Sequence, residues 1–328
     1  TITNAGTMTV TGANGVFVGN QDLTVGKQVS IANTGDLIFT DTTTVVFNAD
    51  YTATAGHLVI KSAANTINGN ITADSLKFGT AIADTAKTKE DNQVVITATA
   101  SGKNTIAYGS TIDVKALTVE DTATTVNGTL KAAATTIGAG KTGELTVADK
   151  DADNNKLAVV TLGDITVGST DTKTAGSFTL TNTAKKAVEA SSLIVVKNSK
   201  LSSFALAQGD FSVGKLTNQG TVTLGATDSS STSTVGKLII TGESTNESGA
   251  TITFNAAGDS LVVAEGASLQ NLGTIGSDNT KGIITVEGTL TNAPAASGVK
   301  AGVIKANEVE VDGVLSTALD KNYTVTTT

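Results

Sequence analysis

Oxygen-bearing side chains between residues 149 and 155 form the pattern in this sequence that comes nearest to a metal site. They stand at every second position, at Asp149, Asp151, Asp153 and Asn155. The first half of a calcium-binding loop has this spacing, but Asn154 and Val160 replace the glycine and glutamate that complete such a loop. We predict an acidic, solvated turn here and no cofactor, with a weak calcium site at these four residues as the alternative.

A glycine-rich segment and a single histidine are the next candidates for chemistry. Residues 138–142 read Gly-Ala-Gly-Lys-Thr, like the end of a phosphate-binding loop. That loop requires a glycine where Thr135 stands and a helix after it, whereas residues 143–147 alternate like a strand. His57 is the one histidine, which excludes a multi-histidine metal site. Its place before the apolar run Leu58–Ile60 predicts a histidine at a strand edge or turn.

Carboxylates are the remaining candidates for catalysis. A carbohydrate-active enzyme needs two of them as a pair, and the candidates are Asp36, Asp113, Asp164 and Asp210. Such enzymes also hold sugars with aromatic rings or arginine, and this chain has no arginine and 3% aromatic residues. We predict that the protein is not an enzyme, and a carbohydrate-active β-helix enzyme stays as an alternative.

Charge and missing residue types exclude several classes of protein. The formal net charge is −8 and all 22 basic residues are lysine, which argues against nucleic acid as a partner. No apolar run reaches the roughly 20 residues of a membrane helix, so we predict a chain that does not span a membrane. The absence of cysteine excludes disulfides, and the threonine-rich, lysine-only composition suits an extracellular protein.

Short β-branched segments recur along the whole chain and predict strands separated by glycine, asparagine or aspartate turns. Three patterns repeat at irregular intervals. They are Leu-x-[Val/Ile/Phe], as at Leu193–Val195, [Leu/Ile]-x-Asn-x-Gly, as at Leu216–Gly220, and [Val/Ile]-x-Gly-x-[Leu/Ile], as at Val286–Leu290.

These repeats predict an all-β fold, a right-handed parallel β-helix (β-solenoid) of about 11–12 coils, in which small aliphatic side chains stack from coil to coil. We expect the asparagine of the second pattern at a corner, bonded to its own backbone or to an asparagine one coil away, and the next glycine at positive φ. Tandem β-sandwich modules are the alternative, although the proline and buried aromatic residues typical of them are scarce here.

The domain prediction is one continuous solenoid over residues 1–328. Polar or small-residue loops are expected to leave it near residues 81–93, 149–156, 226–234 and 292–300. None of them has the composition of a domain linker.

The segments Leu216–Leu224 and Leu269–Ile275 resemble coils of secreted bacterial β-helix proteins, namely autotransporter and haemagglutinin-type adhesin passengers and S-layer solenoids. The resemblance implies a surface protein with a structural or adhesive role. We therefore predict a structural subunit of a cell-surface fibre, filament or layer. The alternative is an adhesin fragment that binds surface glycans or cell-surface receptors.

Both ends of the sequence read as pieces of coils. Residues 1–8 follow the Asn-Gly pattern without a targeting segment, so we expect a removed leader or a cut fragment, and residues 322–328 alternate like a strand. A solenoid without caps exposes unpaired N–H and C=O groups, which predicts a head-to-tail homopolymer or a donated terminal strand. The residues expected at this junction are Ile2, Met8, Tyr323 and Val325.

Overall fold

The computed structural model describes strands, turns and short connections. The described residues are 8–12, 15–18, 23–25, 29–33, 37–47, 51–53, 58–67, 71–78, 94–97, 102–107, 110–119, 122–137, 142–148, 158–169, 175–184, 188–197, 202–227, 233–278, 280, 282–292 and 302–317. Every element among them is a β-strand, so the protein is all-β as predicted. In this part of the chain no helix is long and apolar enough to cross a bilayer.

The chain forms two compact units, Thr1–Gly163 and Asp164–Thr328. The prediction of one continuous domain stays a prediction.

The first unit contains fifteen described strands. They are β1 (Met8–Gly12), β2 (Gly15–Val18), β3 (Leu23–Val25), β4 (Val29–Asn33), β5 (Leu37–Phe47), β6 (Tyr51–Ala53), β7 (Leu58–Ile67), β8 (Ile71–Phe78), β9 (Val94–Thr97), β10 (Gly102–Ile106), β11 (Thr111–Val119), β12 (Thr122–Val126), β13 (Thr129–Ile137), β14 (Thr142–Val147) and β15 (Val159–Thr161). They pair in parallel in three series: β1–β4–β6–β8–β11–β13–β15, β2–β5–β7–β9–β8–β11–β13, and β3–β5–β7–β10–β12–β14.

The second unit contains eighteen described strands. They are β16 (Asp164–Val167), β17 (Ser177–Asn182), β18 (Val188–Val195), β19 (Ser203–Asn218), β20 (Thr221–Leu224), β21 (Ala226–Thr227), β22 (Ser233–Thr234), β23 (Gly236–Ile240), β24 (Glu243–Asn246), β25 (Thr251–Phe254), β26 (Ser260–Val263), β27 (Ser268–Asn271), β28 (Thr274–Ile275), β29 (Ile283–Val286), β30 (Thr289–Asn292), β31 (Val303–Ile304), β32 (Glu308–Val311) and β33 (Val314–Thr317).

The strands of the second unit form three parallel stacks. Stack A contains β17, residues 203–206 of β19, β20, β25, β28 and β31. Stack B contains residues 188–190 of β18, residues 209–213 of β19, β23, β26, β29 and β32. Stack C contains β16, residues 192–195 of β18, residues 215–218 of β19, β24, β27, β30 and β33. A β-solenoid has this order, since each coil adds one strand to every stack.

Inside the stacks, aliphatic side chains of successive strands lie directly on one another. In stack B, Leu238, Leu261 and Ile284 are in register and have no exposed surface. In strands such as β23 and β29, every second residue faces outward, which gives burial with a period of two. The rings of Phe178, Phe204 and Phe211 lie 5.5 and 5.4 Å apart and add three aromatic side chains to this core.

The parallel pairing agrees with the predicted solenoid and not with β-sandwich modules, whose sheets are antiparallel. The handedness and the number of coils stay predictions.

Two departures from regular coils coincide with predicted loops. Strand β9, which follows the predicted loop at residues 81–93, pairs in parallel with both β7 and β8, the two strands that precede it in the chain. Strands β21 and β22, within the predicted loop at 226–234, form an antiparallel pair outside the three stacks. Residues 81–93, 149–156 and 293–300 lie outside the described residues.

The two described corner glycines of the second pattern act by close approach and not by positive φ, which corrects the sequence-based expectation for them. Gly220 and Gly273, from the second pattern, are not among the glycines with positive φ. A Cβ on Gly220 would collide with the carbonyl oxygen of Ser202, and one on Gly273 with that of Ala250. The corners of successive coils therefore pack too closely for a side chain at these positions.

Candidate functional site

Most residues predicted from the sequence to form sites lie outside the described part of the chain. These are Asp149, Asp151, Asp153 and Asn155 of the predicted calcium segment, His57, and the junction residues Ile2, Tyr323 and Val325. Met8 is described as the first residue of β1, in register with Val29 of β4. The calcium site and the junction stay predictions.

Two of the four candidate carboxylates, Asp164 and Asp210, lie on different stacks of the second unit. Asp113 is exposed on β11, and Asp36 lies outside the described residues. In the second unit, Asp164 is on stack C and accepts a hydrogen bond of 2.7 Å from the Ser192 hydroxyl, while Asp210 is on stack B opposite Lys237. Asp164 and Asp210 therefore do not form a catalytic pair.

The segment that resembles a phosphate-binding loop, residues 138–142, is followed by a strand, as predicted. Strand β14 begins at Thr142, where the motif requires a helix. Among the described residues no group of three or more histidine, cysteine, aspartate or glutamate side chains can hold a metal ion.

Four buried asparagines form a column, which we call the asparagine ladder. Its members end successive strands of stack C and have no exposed surface: Asn218, Asn246, Asn271 and Asn292. The amide Nδ2 of each donates to Oδ1 of the next, at 2.8, 2.7 and 2.6 Å. Every amide in the ladder is thus tied to the adjacent coil.

The first three ladder amides also donate to a backbone carbonyl of the next coil, whereas that of Asn292 donates to the oxygen of Gly302, just before the next strand in the chain, at 2.9 Å. Nδ2 of Asn218 lies 2.9 Å from the oxygen of Thr251, and Nδ2 of Asn246 lies 3.3 Å from that of Thr274. At the first member, Oδ1 of Asn218 accepts from the N–H of Gly220 at 3.1 Å. Because a buried amide is costly unless it is hydrogen-bonded, these contacts fix the register of one coil on another.

The sequence identified two members of the ladder and missed two. Asn218 and Asn271 belong to the Asn-x-Gly pattern, and the predicted bond to an asparagine one coil away is confirmed for both. Asn246 and Asn292 lack that glycine spacing. The signal that marks them is an asparagine two residues after an inward-facing residue, Ser244 or Leu290.

A buried carboxyl group, which the sequence analysis missed, accepts hydrogen bonds from backbone N–H groups at another corner. Asp259 has no exposed surface. Its Oδ1 accepts from the N–H of Gly236 at 3.0 Å, and its Oδ2 accepts from those of Asn255 and Ala256 at 2.8 and 2.7 Å. Gly225 has φ of 72°, and a Cβ there would collide with this carboxylate. Three backbone N–H groups thus donate to the two carboxyl oxygens of Asp259.

The last described coil has an open edge, formed by β31, β32 and β33. Ile304, Val309 and Leu315 are half-buried, although the residues below them in register are fully buried: Ile275, Ile284 and Leu290. Val311 is 43% exposed and Val314 is 56% exposed. Among the described residues, the apolar columns of the core therefore end uncovered at this edge.

No family model, no curated protein and no solved structure matches this chain.

Proposed function

We propose that the protein is a non-enzymatic structural subunit of an extracellular cell-surface assembly, a fibre, filament or surface layer, whose partner is a further copy of the same chain. The observation that carries the proposal is the open edge of β31–β33. A folded chain rarely exposes the end of its apolar core, because burying that surface stabilises a contact. A further coil of the same kind would cover these columns as each coil covers the one before it.

The polar residues of the second unit support a structural role. The asparagine ladder and Asp259 are completely buried and bonded, so their hydrogen-bonding groups hold coils together and do not face a ligand. The extracellular location rests on composition: the chain has no cysteine and its basic residues are all lysine.

An adhesin fragment is the second candidate, and the antiparallel pair β21–β22 favours it. This pair leaves the parallel stacks at residues 226–234, and loops on a rigid scaffold are common binding elements. Surface glycans or cell-surface receptors would be the partners in that case.

Light scattering and negative-stain microscopy of the purified chain test the proposal. We expect the average mass to rise with protein concentration and ordered fibres or layers to form. Val314→Lys places a charge on the open edge and should suppress assembly. Val235→Lys is the matched control, because Val235 is also exposed, at 45%, but lies next to the β21–β22 pair and away from the edge.

Equal assembly by both variants would remove the open edge from the proposal. A chain that stays monomeric at all concentrations but binds glycans on an array would favour the adhesin.

A further inference from the structure

Two asparagines of the described chain stand in an acceptor sequence for N-linked sugars. That sequence is asparagine followed two residues later by serine or threonine, with any residue except proline between them. It occurs four times in the chain, at Asn70, Asn127, Asn246 and Asn322. Asn127 and Asn246 lie within the described residues, and the other two lie outside them. The structure places the two described asparagines in opposite surroundings.

Asn246 is closed to a sugar because it belongs to the asparagine ladder. It has no exposed surface, and its Nδ2 donates to Oδ1 of Asn271 at 2.7 Å and to the oxygen of Thr274 at 3.3 Å. An amide nitrogen carries two hydrogens, and both are used here. A sugar on Nδ2 would replace one of these hydrogens and would have to fit between two packed coils.

Asn127 lies at a corner of the first unit and is half-buried. It directly follows β12, and its backbone N–H donates to the oxygen of Ile106 at 2.9 Å. Among the described residues, its side-chain amide has no hydrogen-bond partner. The backbone therefore fixes the position of Asn127, while both hydrogens of Nδ2 stay available for chemistry.

The neighbours of Asn127 along this corner are small. The last residues of β10, β12 and β14 are in register. The residues that directly follow these three strand ends are Ala107, Asn127 and Ala148. Each alanine presents a single methyl group beside Asn127, so the corner leaves room for a bulky group on Nδ2.

Gly128 and Thr129 complete the acceptor sequence at the same corner. A Cβ on Gly128 would collide with the carbonyl oxygens of Ser110 and Ala107, so the packing of the coils requires glycine there. Thr129 is half-buried at the start of β13, and its N–H donates to the oxygen of Ser110 at 2.9 Å. The fold thus accounts for the glycine, whereas no hydrogen bond among the described residues requires asparagine before it.

We infer that Asn127 carries an N-linked glycan. The inference rests on the proposed function, because the extracellular location brings the chain to the transferases that attach such sugars. The donor is a sugar activated by a diphosphate. The bond between its anomeric carbon and the diphosphate oxygen breaks, Nδ2 of Asn127 bonds to that carbon, and Nδ2 releases one proton.

The order of folding and transfer does not alter the choice between the two asparagines. If transfer follows folding, the packed corner excludes Asn246 from the transferase. If transfer comes first, a sugar on Asn246 would prevent two ladder bonds from forming. At Asn127 the linkage removes no hydrogen bond of the described fold in either case.

Peptide mapping of the protein isolated from its own cell surface tests the inference. Trypsin cleaves after lysine, and the peptide of residues 116–131 contains Asn127 as its one asparagine. Asn246 falls in a separate peptide, residues 238–281, which is the internal control. We expect the mass of a glycan on the first peptide and none on the second. Peptide N-glycosidase should remove the sugar and convert Asn127 to aspartate, which distinguishes an N-linked sugar from one on a threonine hydroxyl.

Variants made in the same cells separate the acceptor sequence from the fold. Thr129→Ala should abolish the glycan although Asn127 remains, and Thr129→Ser, which keeps the hydroxyl, should retain it. Ser248→Ala is the matched control, because it breaks the acceptor sequence of Asn246 and should leave the glycan on residues 116–131 unchanged.

Three results would overturn the inference. The first is an unmodified peptide 116–131 in the wild-type protein, whether or not Asn70 or Asn322 carries a sugar. The second is a glycan on Asn246, which would mean that burial in the ladder does not exclude modification. The third is a sugar on residues 116–131 that peptide N-glycosidase leaves in place, since it would lie on a hydroxyl group. The proposed structural role is judged separately, by the self-association of the chain in light scattering.

Discussion

Replacing Asn246 by alanine should destabilise the second unit more than any single exposed substitution. Asn246 is in the interior of the asparagine ladder, so its side chain serves both neighbours. Its Oδ1 accepts from Asn218 at 2.8 Å, and its Nδ2 donates to Asn271 at 2.7 Å and to the carbonyl of Thr274 at 3.3 Å. Alanine removes all three bonds and leaves their partners buried.

The magnitude follows from the groups that lose their partners. Nδ2 of Asn218 keeps its bond to the oxygen of Thr251, but Oδ1 of Asn271 loses the donor from Asn246. A buried polar group without a partner costs about 1–3 kcal/mol. Because Oδ1 of Asn271 loses its donor and the bonds to Asn218 and Thr274 are also lost, we expect a decrease of about 3 kcal/mol in the free energy of unfolding. For a unit of this size that corresponds to a fall of roughly 6–12 °C in melting temperature.

Thr245→Ala is the control, because Thr245 is the preceding residue in β24 and faces outward. Melting followed by far-ultraviolet circular dichroism compares the two variants, and amide hydrogen exchange locates the loss in β24 and β27. A fall for Asn246→Ala no larger than that for Thr245→Ala would refute the reasoning that the ladder holds the coils together.

Three further predictions address other parts of the chain. Asp259→Asn should lower the free energy of unfolding by about 2–4 kcal/mol, because an amide NH₂ then faces backbone N–H donors. Asp312→Asn, at an exposed position, should change it by less than about 0.5 kcal/mol, and equal losses in denaturant titrations of the two variants would contradict the prediction. Gly273→Ala should lower the melting temperature of the protein more than Gly266→Ala does. A Cβ at Gly273 meets the backbone of the neighbouring coil, whereas a Cβ at Gly266 meets open space, although Gly266 has φ of 76°. Thermal melts of the two variants test this order. If the 149–155 segment binds calcium, saturating calcium should raise the melting temperature and a chelator should lower it, and identical melts would eliminate the site.

Local pattern in the sequence was sufficient for the strands and the parallel all-β fold. Period-two alternation depends on the geometry of a single strand, so segments such as Leu193–Val195 and Leu238–Ile240 could be assigned without knowledge of their neighbours. The Val-x-Gly-x-Leu pattern likewise marks a corner, because Val286 ends one strand and Leu290 lies in the next.

Only the tertiary structure decided which polar residues meet. Successive members of the asparagine ladder are 28, 25 and 21 residues apart, so no fixed period in the sequence aligns them. Asp259 reaches Gly236 across 23 residues for the same reason. Coil length varies with every loop, and the register that brings these groups together is set by how each coil packs on the last. The close approach that excludes a side chain at Gly273, and the open edge at β31–β33, are likewise properties of stacked coils that no single strand contains.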